Sequence, residues 1–427
     1  MGVQPGLRTY PSRPSMKVLI ISQIFETHAD TGSDRHFYFA KRLVEAGHTV
    51  TVITANVDYK NAAPKIADAG VRPVAMKVDG IDVRYVPVFT RFRGSFSRRI
   101  LFFVSFVLSA IGFSLSEKGV DVIYAISTPL SVGVLGSVLS LIKRRPMVFE
   151  VTDVWPDAAI QVGVLRQPLV IRLARFLERM SYAQSAAIIA LTRGIRDNIV
   201  AKQVPADRVF LVPNGVDFGL FSPRSIGDAR ASGAARSFDG KFVVMYLGAH
   251  GLYNALDTVV GAAALLKHVR EILVVLVGNG DEKPRLQRLV DELGLSNVEF
   301  LSTVPRSESV RLLAAADVFV LPNRKGRFFE GNLPNKLFDY LASARPIIVA
   351  GAGESAEVIS EAGAGVAVAA EDPAEVVEAI MAYFLTAPAE REAIGQRGRS
   401  HAARFYDRAT QADILIRVIE NVRPIGR

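Results

Sequence analysis

The 427-residue sequence predicts an α/β protein built from two doubly wound parallel-sheet domains. Short apolar runs alternate with helical stretches, and this alternation restarts near residue 241, after a polar segment at 221–240. Continuous apolar runs are typical of strands covered on both faces, and regular strand–helix alternation favours a parallel sheet with helices on both sides. Half of the residues are apolar and 22% are charged, which excludes a disordered or fibrous protein.

The first series of elements begins with a strand at 17–22, a helix through 37–46 and a second strand at 49–55. Further strands are expected at 83–88, 122–126, 147–151, 187–191 and 209–212. The second series has a helix at 255–268 and strands at 241–247, 272–277, 298–301, 318–321, 346–350 and 365–369. These series predict domains at 16–215 and 216–404, with a C-terminal helix in 405–427 that packs back toward the first domain.

Composition excludes several kinds of chemistry. The chain has no cysteine, which removes disulfides, zinc–cysteine sites, iron–sulfur clusters and thiol nucleophiles. Its six histidines lack metal-ligand spacing, so no metal is expected, and the N-terminus lacks the apolar stretch of a signal peptide. Neither a G-x-G-x-x-G after the first strand nor a P-loop is present, which argues against hydride transfer and P-loop phosphoryl transfer.

Positive charge is concentrated in the first half. Residues 1–215 hold 27 Lys and Arg against 16 Asp and Glu (+11), whereas the remainder holds 24 against 26 (−2). An anionic partner of the first half is therefore expected, and nucleic acid, anionic lipid or a phosphorylated substrate would each fit. Because basic and aromatic residues are not interleaved as in nucleic-acid modules, no nucleic-acid partner is expected.

Residues 100–116 carry no charge and follow four arginines. A buried core helix, an interfacial helix in an anionic membrane surface and a marginally short membrane span all remain open. The interfacial alternative predicts membrane contact by Arg91, Arg93, Arg98, Arg99, Phe102 and Phe103. Arg172, Arg175 and Arg179 recur at helical spacing and form either a second basic face or an ordinary solvated one.

In the second half, the segment 330–340 (E-G-N-L-P-N-K-L-F-D-Y) predicts an anion site. Asn332 can cap a helix with Pro334 in its first turn, and Lys336 adds positive charge where the helix dipole is already positive. Asp339 follows at i+3 as a hydroxyl acceptor, although a plain Lys–Asp surface pair is the alternative. Arg324, Lys325 and Arg327 either help to clamp a diphosphate or form a solvated basic loop.

Three glycine or acidic segments complete the candidates. Gly278 and Gly280 end a strand and permit a tight turn beside a helix N-terminus, which alone is a weak signal. Gly32 and Ser33 either let the backbone approach a ligand or form an ordinary loop. The segment F-E-V-T-D-V-W-P-D at 149–157 places three carboxylates after a strand, for helix capping or for substrate contact and catalysis.

In combination, these motifs resemble the retaining glycosyltransferases of family 4, which have the GT-B fold of two Rossmann-like domains facing across a cleft. The resemblance covers residues 16 to about 406. More narrowly, the sequence resembles the subgroup of family 4 that includes the fucosamine transferases of bacterial surface-polysaccharide clusters. The resemblance rests on T-G-S-D-R-H-F-Y-F-A-K-R-L (31–43), F-E-V-T-D-V-W-P-D (149–157), V-P-N-G-V-D (212–217), L-G-A-H-G-L (247–252), V-G-N-G (277–280) and L-P-N-K-L-F-D-Y (333–340).

The resemblance implies roles for individual positions. Catalytic roles fall on Asp153 near the reacting sugar, on Lys336 at the diphosphate and on Asp339 as acceptor from the ribose. The other donor contacts it implies are Gly278 and Gly280 at the nucleotide, Val304 and Arg306 at the base, Leu333 and Asn335 with Lys336 at the diphosphate, Gly248, His250 and Gly251 at the diphosphate and sugar, and Gly32 and Ser33 from the first domain. Arg327 and Glu330 are further donor-binding candidates.

The family likeness further implies a nucleotide diphosphate sugar, with UDP as the expected nucleotide, and a polyprenyl-linked or glycan acceptor. It implies no metal cofactor and a peripheral position on the inner face of the cytoplasmic membrane. Two departures stand out: Gly331 occupies the first position of the family's Glu-x7-Glu pattern, and Asn254 and His250 stand where many members have Arg and Lys. A UDP-sugar 2-epimerase on the same fold and a non-catalytic nucleotide-sugar-binding protein are the alternatives.

Overall fold

The protein was analysed as a computed structural model, which describes residues 15–27, 34–59, 62–66, 72–161, 163–221, 238, 240–326, 330–331 and 333–424. The chain divides into two compact units. The first unit runs up to Pro213 and includes the segment from Ala412 onward, whereas the second unit runs from Asn214 to Gln411. Residues 405–411 thus belong to the second unit, and the C-terminal segment belongs to the first unit from Ala412 onward.

The described part of the first unit contains an eight-stranded sheet in the order β3-β4-β2-β1-β5-β6-β7-β8. All neighbouring strands are parallel except β3 and β4, which are antiparallel. The strands are β1 (Lys17–Ser22), β2 (Thr49–Ala55), β3 (Val74–Val78), β4 (Ile81–Val86), β5 (Val122–Ile126), β6 (Met147–Val151), β7 (Ala187–Ala190) and β8 (Val209–Leu211).

The helices of the first unit cover both faces of this sheet. They are α1 (Arg35–Glu45), α2 (Phe96–Ser116), α3 (Leu130–Lys143), α4 (Asp157–Gln161), α5 (Pro168–Gln184), α6 (Arg193–Ala201) and, from the end of the chain, α14 (Arg408–Asn421), which begins in the second unit. Apolar side chains of α14, among them Leu415 and Ile419, pack in the same core layer as Val18 and Ile20 of β1.

The described part of the second unit contains a six-stranded parallel sheet in the order β11-β10-β9-β12-β13-β14. Its strands are β9 (Phe242–Leu247), β10 (Ile272–Val277), β11 (Val298–Leu301), β12 (Val318–Pro322), β13 (Ile347–Ala350) and β14 (Gly365–Val368). Its helices are α7 (Leu256–Leu265), α8 (Lys283–Glu292), α9 (Arg306–Ala314), α10 (Asn335–Ala342), α11 (Glu354–Ala362), α12 (Pro373–Leu385) and α13 (Pro388–Phe405).

The predicted fold class of two doubly wound parallel-sheet domains is confirmed. The strand order reverses between β1 and β5 in the first sheet and between β9 and β12 in the second. In such sheets ligands bind at the carboxyl ends of the strands where the order reverses. The loops after these strands are therefore the natural places for a site.

Strand β3 was not predicted from the sequence. β3 is a short edge strand whose residues, such as Met76, are mostly exposed, so it lacks the continuous apolar run by which the buried strands were recognised. The segment 221–240, expected to be a hinge or surface loop, lies largely outside the described residues.

Helix α2 contains a stretch, Ser97–Ser116, that is long and apolar enough to cross a membrane, with mean hydropathy 1.9 and 22% of it buried. The prediction of membrane contact by Phe102 is wrong for this structure, because its side chain is 1% exposed and its ring stacks on Phe92 at 4.4 Å between centroids. Phe103 is partly buried against the same core. Arg91, Arg93, Arg98 and Arg99 are exposed, as expected.

A buried ion pair ties the first turn of α1 to the sheet. Glu150 of β6 is fully buried, and its carboxylate accepts hydrogen bonds from Arg35, with Nε at 3.1 Å, and from the Tyr124 hydroxyl. Nε2 of His36 lies 2.9 Å from the same carboxylate. Although burial raises the pKa of Glu150, the charges of Arg35 and His36 outweigh it and hold the pKa well below its usual range.

Arg35 also reaches the end of the first unit's sheet. Its two Nη groups donate to the carbonyls of Pro213 and Val212, each at 2.7 Å. One guanidinium thus joins α1, β6 and the chain after β8. Removing a single partner from such a pair leaves an uncompensated buried charge.

We therefore expect Glu150→Gln to lower the free energy of unfolding by about 3–5 kcal/mol, because Arg35 would stay buried without its counter-charge. Denaturant unfolding of wild type and variant measures the difference. Glu45→Gln is the control, since Glu45 pairs with Arg42 at the surface, and a change of at most about 1 kcal/mol is expected there. A loss for Glu150→Gln as small as that of the control would mean that the two carbonyls alone hold Arg35.

Candidate functional site

Two loops meet at the carboxyl edge of the second sheet, one after β9 and one after β10. Gly248 N donates to Val277 O at 2.9 Å, and His250 N donates to Asn279 O at 2.9 Å. A Cβ on Gly278 would lie 2.0 Å from Gly248 O, and one on Gly280 would lie 2.3 Å from His250 O. Only glycine permits so close a backbone approach, and Gly278 also has a φ of 142°.

His250 turns its ring inward from this edge. The ring is fully buried, with its centroid 6.1 Å from that of Phe300 and 6.1 Å from that of Tyr246. Burial first, and then the positive charge of Lys283, lower the pKa of His250 to about 4, so the imidazole is neutral near pH 7. The backbone of His250, and not its ring, therefore lies at the edge where a ligand was expected.

Lys336 brings a positive charge to the same edge from α10. This helix begins at Asn335 with Pro334 as its N-cap residue, so Pro334 stands one step before the helix and not in its first turn as predicted. The Lys336 ammonium donates to the Tyr246 hydroxyl and, at 2.9 Å, to Oδ1 of Asn254. It lies 4.2 Å from the centre of the Tyr246 ring, and a Cβ on Gly248 would stand 2.9 Å from Nζ.

Within the described part of the chain, the hydrogen bonds of this ammonium go to neutral oxygens. Burial raises the pKa of Tyr246 far above its usual value, so the phenol carries no negative charge. The side chain of Lys336 keeps some solvent contact, but enclosure of its ammonium lowers the pKa of Lys336 to about 7. The arrangement places a partly desolvated cation where the strand order reverses, and no carboxylate of the described residues pairs with it.

Asp339 pairs with Arg306 and not with Lys336. The carboxylate is nearly buried and accepts two hydrogen bonds from the guanidinium, at 2.6 Å and 2.7 Å. Arg306 begins α9, directly after the loop that holds the half-buried Val304. The alternative of a Lys336–Asp339 surface pair is therefore excluded. The sequence did not predict the ion pair between Arg306 and Asp339.

The basic loop after β12 contributes less free charge than the sequence suggested. Arg324 donates to Asp257 at 3.0 Å, to Glu371 at 2.7 Å and to the carbonyl of Leu252 at 2.9 Å. Its charge is thus balanced by two carboxylates. Arg327, the third cation of this loop, lies outside the described residues.

In the first unit, the three carboxylates of 149–157 have separate environments. Glu150 is buried in the Arg35 pair, and Asp157 pairs with Lys202 at 2.7 Å. Asp153, directly after β6, is exposed and accepts a hydrogen bond from the Thr128 hydroxyl at 3.1 Å. The surrounding protein raises the pKa of Asp153, and that hydrogen bond opposes the shift. Of the three, Asp153 alone offers its carboxylate to a ligand.

Comparison with known proteins assigns both halves of the chain. Residues 230–401 match the family described as glycosyl transferases group 1, and residues 35–215 match the glycosyl transferase 4-like domain. The chain belongs to the glycosyltransferases with the GT-B fold. The narrower likeness to fucosamine transferases is not contained in these matches.

Relatives of this glycosyltransferase include a protein of Escherichia coli K12 named as a colanic acid biosynthesis glycosyl transferase, WcaI. It is 25% identical over 67% of this chain and 69% of its own length. Among solved structures, Anabaena HepE in complex with UDP and glucose matches with a TM-score of 0.70 at 17% identity, covering 95% of this chain and all of HepE. Sucrose-phosphate synthase of Thermosynechococcus elongatus matches with a TM-score of 0.72 at 17% identity, over 95% and 98% of the two chains.

The remaining predicted positions of the glycosyltransferase are distributed as follows. Leu333 is buried and Asn335 is exposed at the start of α10, and Gly251 lies in the loop after β9. Glu330 is exposed, and a Cβ on Gly353 would lie 2.1 Å from the carbonyl oxygen of Glu330. Gly32, Ser33 and Asn332 lie outside the described residues.

Tyr246 is a site residue that sequence reasoning missed. It lies within an apolar strand, so its pattern is that of a core residue, and nothing in the sequence links it to Lys336, ninety positions later. From the sequence, Asn254 stood out only because many family members have a cation in that stretch. In the structure its Oδ1 accepts a hydrogen bond from the ammonium of Lys336, so the positive charge beside Asn254 comes from α10.

Gly278→Ala should lower the free energy of unfolding by more than about 3 kcal/mol, because the added Cβ meets a backbone carbonyl and the φ is unfavourable for alanine. Thermal or denaturant unfolding measures the loss. Gly294→Ala is the matched control: it has a φ of 60° but open space around the Cβ, and about 1 kcal/mol is expected. Equal losses in the two variants would contradict the close approach of the loops.

Proposed function

We propose that this glycosyltransferase moves a sugar from a UDP sugar to a lipid-linked or polysaccharide acceptor in the assembly of a bacterial surface polysaccharide. The observation that carries the proposal is the Lys336 ammonium, enclosed among neutral groups where the strand order of the second sheet reverses. A partly desolvated cation with neutral partners favours an anion as its ligand. The diphosphate of a nucleotide sugar has that charge.

The proposed chemistry breaks the bond between the anomeric carbon and the diphosphate oxygen and forms a bond to the acceptor oxygen. Negative charge develops on the leaving diphosphate, which takes up the proton lost by the acceptor hydroxyl. Lys336 and backbone amides at the start of α10 would stabilise this charge, since donors fixed in advance cost no reorganisation during the reaction. The loops of Gly248 and Gly278 would let the donor approach the backbone.

The donor identity and the acceptor class rest on the relatives. HepE has been solved with UDP and glucose, and WcaI is named for colanic acid biosynthesis. Peripheral association with the inner face of the cytoplasmic membrane follows if the acceptor is carried on a polyprenyl lipid.

Asp153 and Asp339 have further roles in the proposal. The exposed carboxylate of Asp153 in the first unit would contact the reacting sugar or the acceptor hydroxyl. Asp339, held in place by Arg306, would accept a hydrogen bond from a ribose hydroxyl. Retention of configuration and independence of metal are part of the proposal: NMR assignment of the product anomer tests the first, and activity after chelation tests the second.

UDP should raise the melting temperature of the wild type more than GDP, ADP or dTDP does, because a ligand that binds only the folded state stabilises it by mass action. In Lys336→Met the UDP shift should nearly disappear, corresponding to an affinity about 10- to 100-fold lower, since a charge-assisted contact to the diphosphate is lost. A thermal-shift panel measures both effects.

Lys267→Met is the control for that panel, because Lys267 is an exposed lysine beyond the end of α7. Its UDP shift should equal that of the wild type. If no nucleotide shifts the wild type, the donor site proposed here is wrong. If UDP shifts wild type and Lys336→Met equally, the diphosphate does not bind at Lys336.

The affinity for UDP should fall as the pH rises above about 7, with a slope that approaches about tenfold per pH unit near pH 8. The reason is that the free protein holds Lys336 with a pKa of about 7, whereas the diphosphate favours the ammonium, so binding above this pH must take up a proton. Isothermal titration between about pH 7 and pH 9 avoids the second ionisation of the terminal phosphate, which lies near 6.

The same titrations on Lys336→Met provide the reference. Its weak residual binding should be nearly independent of pH in this range. A wild-type affinity that stays constant across the range would contradict a lowered pKa at Lys336.

A further inference from the structure

More than half of the large apolar side chains that are exposed among the described residues lie in the helical layer on one face of the first sheet. They are Ile100, Leu101, Val104, Leu108, Leu115, Leu141, Ile142, Val164, Leu169, Val170, Leu173 and Phe176. Helix α3 packs against both α2 and α5, so these residues belong to one layer. Patches of this kind mark surfaces that bind a partner or a membrane.

Helix α3 lies unusually close to the sheet. A Cβ on Gly133 would stand 2.6 Å from the Phe149 ring, and one on Gly136 would stand 2.7 Å from Ala125. Only its last residues, near Leu141 and Ile142, are exposed. The outer faces of α2 and α5 on either side of it therefore form the exposed part of this layer.

The exposed side chains of α5 are arranged as on a helix at a membrane surface. Leu169, Leu173 and Phe176 recur at i, i+4 and i+7 and are 76%, 57% and 61% exposed. Arg172 and Arg179 form an exposed stripe along one side of them, together with Arg175. Such a helix lies in the interface, with its apolar face among the acyl chains and its cations at the headgroups.

The charge of this layer selects the partner. Helix α2 contains no acidic residue, and the one acidic residue of α5, Glu178, is buried and bonded to Lys202. Exposed arginines therefore stand beside exposed leucines without acidic residues between them on these helices. Charge complementarity points to a surface that is both apolar and anionic, which is an anionic phospholipid bilayer.

We infer that α5 docks on an anionic bilayer through Leu169, Leu173 and Phe176, together with the exposed stripe Leu101, Val104 and Leu108 of α2. The first residues of both helices lie on the side of the sheet that carries the carboxyl ends of the strands, as Asp153 does. The inference deepens the proposed function, on which it rests for one point: a lipid-linked acceptor would enter beside Asp153. Docking itself requires neither donor nor acceptor.

Co-sedimentation with vesicles tests the inference in the absence of nucleotide. Wild type should bind vesicles containing about one third phosphatidylglycerol, and Leu169→Gln/Leu173→Gln/Phe176→Gln should bind at least about tenfold less. Arg172→Gln/Arg179→Gln should lose the preference for phosphatidylglycerol over pure phosphatidylcholine. The matched control is Leu265→Gln/Leu293→Gln/Leu385→Gln, which replaces three exposed leucines of the second unit and should bind as the wild type does.

Each other result overturns the inference. Undiminished vesicle binding by the triple α5 variant would show that α5 does not dock. A wild-type dimer that this variant converts to monomer, measured by light scattering without vesicles, would assign the face to a second copy of the chain. Because the assay contains no UDP, loss of vesicle binding leaves the nucleotide panel unaffected, and the failure of either proposal is recognised separately.

Discussion

The constraint at the carboxyl edge of the second sheet is a lysine ammonium that, among the described residues, is enclosed without a carboxylate partner. Keeping a cation partly out of water is unfavourable, and the protein offers Lys336 a phenol oxygen, an amide oxygen and an aromatic ring as partial compensation. Because residue 248 is a glycine, there is room for the ammonium. Because residue 278 is a glycine, the loop after β10 can approach the backbone of Gly248 closely. These features make sense together if an anion completes the site.

The first unit solves the opposite problem. There a carboxylate, Glu150, is buried, and the arginine that compensates it also bonds the carbonyls at the end of the sheet. That pair is satisfied within the protein and leaves little charge for a ligand. The exposed Asp153, three residues later, is the carboxylate that remains available. Two acidic residues of one motif thus differ in their access to a ligand, because the side chain of Glu150 is buried in the core and that of Asp153 is exposed.

Much of this could be predicted from sequence, for a physical reason. Strands buried on both faces have continuous apolar runs, so the bounds of every parallel strand except β4 were predicted to within one residue, whereas the exposed edge strand β3 was not predicted. Lys336 could be found because its position in a helix start is a local pattern. Its partner Tyr246, the Arg306–Asp339 pair and the burial of Phe102 depend on contacts between distant segments, which no local pattern contains.

Helix α14 follows the second unit in sequence but packs in the first unit, and this affects how the chain folds during synthesis. Residues of α14 fill the core layer that includes β1, although the whole second unit lies between them in the sequence. The first unit therefore cannot close this layer until the second unit and α14 have been translated. The second unit, which is assigned to a single span of sequence from Asn214 to Gln411, is free of this delay. The domain that is synthesised first is thus the one completed last.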